Sequence, residues 1–540
     1  MHGTMMDYQL TLPHLLERAR LLFGSSEIVT RLPDKSLHRH TYADFCRRTT
    51  ALAAALQRLD LKAGDRVATL MWNHYAHLEA YFAIPCAGAV VHTLNLRLHP
   101  DEIGYIAAHA GDRYLIVDDV LLPLYEQFRR HIAFEHVIVV PLTGRTVAEP
   151  FLDYEKVLGG APAFVPPCIA ESDAAGMCYT SGTTGRPKGV VYTHRSIVLH
   201  SMATSTIDYL GIANRDAVCP VVPMFHANGW GLPHSSVMAG SKIVMPGPHL
   251  DGASMLDLFE REQVTVSAGV PTVWLSMLQA LGDAGRPPRF APGLRLICGG
   301  AAAPESMIRA YDRLGLRVIH GWGMTETSPV GTVNYAKRGV PELDEDARYA
   351  LQTRQGVPLP FFEIRAVGAD GVVPWDGAAI GELQVRGPWV ASGYYRPDDP
   401  VSQWTADGWF CTGDIVNIDR HGYMRIVDRS KDLVKSGGEW ISSLELENVL
   451  MAHEAVQEAA VVGVAHARWG ERPLAVIVLK PGAAADAETL RAHLAPRVAR
   501  HCVPDAFVFV PEIPRTATGK TLKTALRERY RAFYTGEGAA

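Results

Sequence analysis

The chain has 540 residues, 48% hydrophobic and 20% charged, with a formal net charge of −5. That length exceeds what one hydrophobic core serves, so a large domain plus at least one more is expected. The mildly acidic balance, without a basic tail or patch, argues against a nucleic-acid partner. Eight cysteines scattered without a C-x-x-C pair argue against a zinc site or disulfide framework and for a reducing cytoplasm.

In chain order, the first twenty residues mix charge and polarity and lack the apolar core of a signal peptide. Residues 41–59 have helical periodicity, and 65–72 read as a strand through Val67, Ala68 and Leu70. The longest apolar run, 80–91, contains Pro85 and is too short to cross a bilayer; it reads as a buried helix-to-strand segment, and no integral membrane segment is expected. Helical stretches then alternate with short apolar strands at 115–117, 136–140, 242–245, 264–268 and 295–298, which predicts α/β layers with largely parallel pairing. Residues 160–167 and 282–292 are Pro/Gly-rich loops, and the charged segment 337–350 reads as solvated loop or helix. After about residue 356, short β-like runs (362–367, 381–385, 423–427) joined by Gly-containing turns predict a β subdomain. From about 433 the chain reads as an α+β module, with helices at 443–452 and 487–497 and strands at 456–464 and 474–480. The fold class expected is therefore α/β: a large N-terminal domain of several layered α/β sheets plus a β subdomain, then a small α+β C-terminal domain.

The densest signal is the run Thr180, Ser181, Gly182, Thr183, Thr184, Gly185, Arg186, Pro187, Lys188 and Gly189. Its glycines let the backbone curl and present N–H groups, its hydroxyls add donors, and Lys188 adds a positive charge; together these make a polyphosphate cradle. It is not a Walker loop, in which Gly immediately precedes Lys and Ser or Thr follows.

At these residues the sequence resembles the adenylate-forming superfamily: acyl-CoA synthetases, aryl-CoA ligases, luciferase-like enzymes and peptide-synthetase adenylation domains. The resemblance covers essentially the whole chain, because further motifs follow in order. His320, Gly321, Trp322, Gly323, Met324, Thr325 and Glu326 resemble the second nucleotide motif, with Trp322 where the family more often has Tyr. Residues 409–414, ending on Asp414, resemble the ribose motif. Residues 428–435 resemble the hinge motif, with Asp428 where some branches have Gly. Residues 514–520, ending on Lys520, resemble the catalytic-lysine motif. Gly299, Gly300, Ala301 and Ala302 resemble a small-residue strand end that admits adenine and the acyl group, and residues 221–230 resemble the acid-site motif.

The resemblance implies ATP, Mg²⁺ and CoA as reaction partners of a carboxylic acid. A carboxylate is a poor electrophile, and joining it to AMP as a mixed anhydride supplies a leaving group; two anions must first be brought together among cations and oriented donors. Glu326 and Thr180 are the expected Mg²⁺ anchors, since Mg²⁺ takes a carboxylate together with phosphate oxygens and water. Asp414 and Arg429 are expected at the ribose, Lys188 at the phosphates, and Lys520 between carboxylate and α-phosphate. His226, Trp230, Gly299, Gly300, Trp322 and Pro329 are expected at the acyl pocket; Trp322 either stacks on adenine or walls that pocket. Trp230 resembles the gate tryptophan of bacterial long-chain fatty acyl-CoA synthetases, although relatives in that subgroup act on acids as short as 3-methylmercaptopropionate. The absence of Asp or Glu in 221–230 disfavours an α-amino acid substrate.

By the same resemblance, residues 1–428 form the ATP and acyl domain, 429–432 a hinge around Lys431, and 433–540 a mobile catalytic domain. After its rotation, Lys435, Ser436, Gly437, Gly438, Glu439, Trp440 and Glu471 face the site and admit CoA. A homodimer is implied as well. The alternatives are an enzyme that loads a separate carrier protein and a nucleotide-binding regulator without catalysis; the second is opposed by the intact Lys188, Glu326, Asp414, Arg429 and Lys520.

Overall fold

The computed structural model describes residues 1, 3–180, 186–340, 343–397, 403–437, 439–515 and 521–534. Two large sheets dominate the N-terminal domain. The seven-stranded sheet runs in the order Leu152–Asp153, His136–Val140, Asp112–Asp118, Arg66–Leu70, Val90–Thr93, Ala174–Tyr179, Gly189–Thr193. All its pairings are parallel except the last, where Tyr179 faces Gly189 across an antiparallel hairpin. The phosphate-loop sequence lies in the chain between these two strands. The nine-stranded sheet has a parallel centre, in which Cys298 lies opposite His320, and antiparallel pairs at both edges.

Between the two sheets lies a shared core that joins Val67, Ile116 and Ile138 of one to Ile28, Ile243 and Met245 of the other through Leu52, Phe45, Phe82 and Ile84. The helix Tyr75–Cys86 inside this core is buried on every face, with Pro85 in its last turn, followed by the strand Val90–Thr93. A helix apolar all round has to be enclosed in this way. The helix Tyr42–Arg58 starts on a capping box between Thr41 and Asp44 and buries its Leu52 and Leu56 side. The charged segment after 337 contains a helix, Glu345–Gln352, capped by Asp344.

The β subdomain is a five-stranded antiparallel sheet that ends on Phe410–Ile418 and Met424–Arg429, with Asp414 opposite Arg429. The C-terminal domain is built on the long hairpin Val456–His466 and Gly470–Leu479, packed by the helices Ser443–Met451 and Ala487–Leu494. Among the described residues, no helix is long and apolar enough to cross a membrane. Lys523, which in sequence looks like one more solvated lysine, is largely enclosed, with its side chain 12% exposed. Its ammonium lies 2.7 Å from the Glu447 carboxylate and donates to the Ser443 hydroxyl at 2.6 Å.

Candidate active site

The strand ends and loops above converge on a cavity of about 1040 Å³. Thr180, Arg186, Lys188, Thr325, Glu326, Tyr394, Gln403, Arg429 and Lys431 give it a polar side; Trp230, Ile297, Gly299, Met324, Val330 and Val333 give it an apolar one. Gly300, Gly321, Trp322, Gly323, His226 and Pro329 also line it. Ala301, Ala302, His320 and Asp414 are not among the residues that line it, although Thr412 and Gly413, next to Asp414, are. Ser181, Gly182, Thr183, Thr184, Gly185 and Lys520 lie outside the described residues.

The two flanks of the phosphate loop are held together: Thr180 N–H donates to the Lys188 carbonyl at 2.9 Å, and Lys188 N–H to the Thr180 hydroxyl at 3.2 Å. The Lys188 ammonium rests over the Tyr394 ring, 4.8 Å from its centroid, beside the Gln403 amide oxygen at 3.5 Å. Tyr394 in turn places its hydroxyl 2.6 Å from Glu326 Oε1 and 2.6 Å from Gln403 Oε1. One phenolic proton cannot serve two acceptors, so one contact takes its proton from Glu326 or from an N–H of the Gln403 amide. Burial pushes the Glu326 carboxyl above its ordinary value, opposed by the Tyr394 hydroxyl. Its backbone is tied by Ala391 N–H donating to the Glu326 carbonyl and by Tyr192 donating to the Thr325 carbonyl at 2.8 Å. Gly323 is a glycine for steric reasons: a Cβ there would stand 1.9 Å from the Pro329 carbonyl oxygen.

A carboxylate, a hydroxyl and no nitrogen or sulfur donor form an oxygen set of the kind Mg²⁺ takes when phosphates and water supply the remaining ligands. No group of three or more His, Cys, Asp or Glu that would hold an ion unaided is present among the described residues. Thr180 and Glu326 therefore fit a nucleotide-borne Mg²⁺ rather than an all-protein cage.

His320 is buried under the strand end; its Nδ1–H donates to the Thr353 carbonyl at 2.8 Å, and burial lowers it to about 4, so it is a neutral support. Asp414 is 2% exposed. Its Oδ2 accepts from the Trp322 indole N–H at 2.8 Å, and its Oδ1 lies 3.2 Å from Arg429 Nε. Sequence reading left Trp322 between two ring roles and did not foresee this contact. Burial lowers the neighbouring Lys431 ammonium.

The acid-site segment has an unusual backbone. Ala227, Asn228, Gly229, Trp230 and Gly231 all have positive φ, from +43° to +73°, so that five successive residues form a left-handed turn. Such a conformation costs non-glycine residues roughly 1–2 kcal/mol each and has to be held from outside. Buried Asn73 does part of this: its amide donates to the carbonyls of Pro220 (2.7 Å) and Val222 (2.8 Å), and its oxygen accepts from Met224 N–H (2.8 Å). Tyr81 donates to the Met224 carbonyl, and the Cys178 thiol to Asn228 Oδ1 at 3.1 Å. The turn lays the Trp230 indole against Gly299, where a Cβ would meet it at 3.2 Å. Trp230 and His226 also line a second cavity of about 260 Å³, walled by Val221, Val222, Phe225, Leu250, Val270 and Val273 with Arg97. These two side chains therefore border both chambers.

Most residues expected to meet CoA are brought together elsewhere. Ser436 lies opposite Gly470, Lys435 N–H donates to Glu471 Oε2 at 3.1 Å, and the Lys435 ammonium stands 5.4 Å from the Trp440 ring centroid. Gly437 N–H donates to the Trp469 carbonyl, and Glu439 faces Ser436. None of them lines the large cavity, and Gly438 lies outside the described residues.

With this geometry in hand, comparison with known proteins gives a family. Residues 24–395 match the AMP-binding enzyme family and residues 445–520 the AMP-binding enzyme C-terminal domain. The chain belongs to the AMP-binding enzymes. It is 48% identical to a long-chain-fatty-acid–CoA ligase of Thermus thermophilus, with 99% of this chain and 98% of that protein covered. It is 43% identical to a 3-methylmercaptopropionyl-CoA ligase of Ruegeria pomeroyi, covering 99% and 100%. Among solved structures, the anthranilate CoA ligase AuaEII in complex with anthranoyl-AMP superposes with a TM-score of 0.86 at 25% identity, covering 99% of this AMP-binding enzyme and all of the other chain. Asn73, Tyr394 and Gln403 were missed in sequence because none sits in a spaced motif; the only trace is that Tyr394 follows Gly393 shortly before the ribose motif.

Proposed function

We propose that the protein is an AMP-forming acyl-CoA synthetase acting on fatty acids of medium to long chain. In the first half-reaction, a carboxylate oxygen attacks the α-phosphorus of ATP, giving acyl-AMP and pyrophosphate; in the second, the CoA thiol displaces AMP. The observation that carries the reading is the pair of chambers bordered by Trp230 and His226: a polar one rich in cations, and a mostly apolar one with room for a tail.

Lys188 and the loop from Thr180 hold the β- and γ-phosphates, with Tyr394 fixing Lys188 and Glu326 relative to one another. Glu326 and Thr180 would hold a Mg²⁺ brought in with the nucleotide, which would supply charge neutralisation for the leaving pyrophosphate. Asp414 and Arg429 take the ribose, Trp322 and Gly300 border the adenine, and His226 borders the carboxylate. Lys520 bridges carboxylate and α-phosphate. The hinge at 429–432 then turns residues 433–540 so that the Lys435–Trp440 segment and Glu471 meet CoA; their clustering away from the cavity supports such an exchange of faces. A cytoplasmic setting and a homodimer belong to the same proposal, and cell fractionation and light scattering check them.

The test is a panel of acids from propionate to palmitate, with aryl acids and 3-methylmercaptopropionate included. Pyrophosphate release with acid alone, and AMP with thioester only on adding CoA, is expected; thioester formation on a carrier protein instead of CoA overturns the reading. A second reading, a short-acid ligase, is favoured by the Trp230 indole seated on Gly299, which in this position floors the large cavity. Preference for 3-methylmercaptopropionate over palmitate selects it.

A further inference from the structure

Asp414 raises a problem of supply. A carboxylate offers about four acceptor positions. Asp414 is almost completely buried, and its Oδ2 already accepts from the Trp322 indole while its Oδ1 faces Arg429. Two positions remain, which is the number a vicinal diol needs. Trp322 stands on the strand Arg317–Gly323 of the nine-stranded sheet and Asp414 on Phe410–Ile418 of the β subdomain, so the bond bridges two separately built units. The indole has little freedom: its ring packs edge-on against Phe362 at 6.4 Å, and Gly331 leaves it room where a Cβ would stand 2.8 Å away. The donor is thus fixed by packing, and the carboxylate turns to meet it. Thr412, Gly413 and Arg429, immediately around Asp414, line the cavity.

We propose that Trp322 is a positioning residue for nucleotide selection: its indole N–H fixes the rotation of the Asp414 carboxylate and keeps two acceptor positions for the 2′- and 3′-hydroxyls of a ribonucleotide. A phenylalanine ring at this position would give a wall but no donor. The inference rests on the reading of Asp414 as the ribose acceptor, and the experiment separates the two.

Binding of AMP and of 2′,3′-dideoxy-AMP to the full-length protein is measured by calorimetry for wild type, Trp322→Phe and Asp414→Asn. Trp322→Phe is expected to weaken AMP about tenfold, the scale of one hydrogen bond to a charged group, and to leave the dideoxy nucleotide within about twofold. Equal weakening of both nucleotides means the ring acts as a wall or stacking surface and overturns the inference, as does no weakening of either. If Asp414→Asn weakens AMP selectively while Trp322→Phe does not, the inference alone fails. If Asp414→Asn itself fails to discriminate, the ribose reading falls and the inference with it. Should Trp322→Phe not fold, β-(3-benzothienyl)alanine at position 322, which keeps the indole shape without the N–H, gives the same comparison.

Discussion

Tyr394 touches three groups of the phosphate end at once: the Glu326 carboxylate, the Gln403 amide and the face presented to Lys188. Removing its hydroxyl leaves a buried carboxylate short of a donor. Tyr394→Phe is therefore expected to lower kcat/KM for ATP by about tenfold in a pyrophosphate-release assay, while thioester formation from supplied acyl-AMP stays within about twofold. Lys520→Ala is expected to remove nearly all adenylation and spare the same second step; equal loss of both steps contradicts the two-step division of labour. At this scale sequence reading reached the residues that stand in spaced motifs, such as Lys188, Glu326 and Arg429, all of which line one cavity. It could not reach Tyr394 or Asn73, whose roles come from contacts 68 and about 150 residues away in the chain. It also misjudged Lys523, because Glu447 lies on a different helix and only the tertiary fold buries the pair.

Among the elements, the decisive one is the left-handed turn at Ala227–Gly231. Asn73 bonds three backbone groups that precede it, and its removal takes a buried partner from each. Asn73→Ala is expected to cost roughly 3 kcal/mol of stability by this mechanism, read from the urea midpoint, and to raise KM for the acid more than KM for ATP. A variant that keeps wild-type stability would contradict the assignment of Asn73 as the support. The parallel strands were legible because strands buried on both faces read as unbroken apolar runs. The edge strand Leu37–Thr41 was not, because His38, Arg39 and His40 form a half-exposed polar run that resembles a loop. Nor does any residue pattern announce five left-handed residues in succession, since only two of them are glycines.

For the whole molecule, histidines enclosed without charge are expected to make stability fall in acid. Burial lowers His77, His200 and His234 to about 3, and His194 and His320 to about 4. The unfolded chain takes up protons on these rings below about pH 6.5 while the folded chain does not. Stability therefore falls as pH drops from there towards 4, on the order of 6 kcal/mol per pH unit near pH 5 if all five act. Urea midpoints measured between pH 7 and 5 are expected to show this steep fall, and His234→Phe should flatten it by roughly a fifth. A pH-independent midpoint in this window contradicts neutral burial. Two domains of unequal size were legible from length and from the α+β pattern that begins at about 433; the bond between Trp322 and Asp414 across two sheets was not, because it depends on how separately built units meet.

The strained turn at Trp230 also has a consequence for how the protein would measure its substrate. On the proposed reading in which Trp230 stands between the acid site and the tail chamber, relief of the turn's backbone strain would narrow the free-energy gap to an open form, and the entering tail would tip the balance. Each methylene that passes into the far chamber adds about 0.8 kcal/mol, which multiplies the open population about fourfold. Chain length is then converted geometrically into occupancy, so that homologous acids two carbons apart differ by roughly an order of magnitude until the far chamber is full.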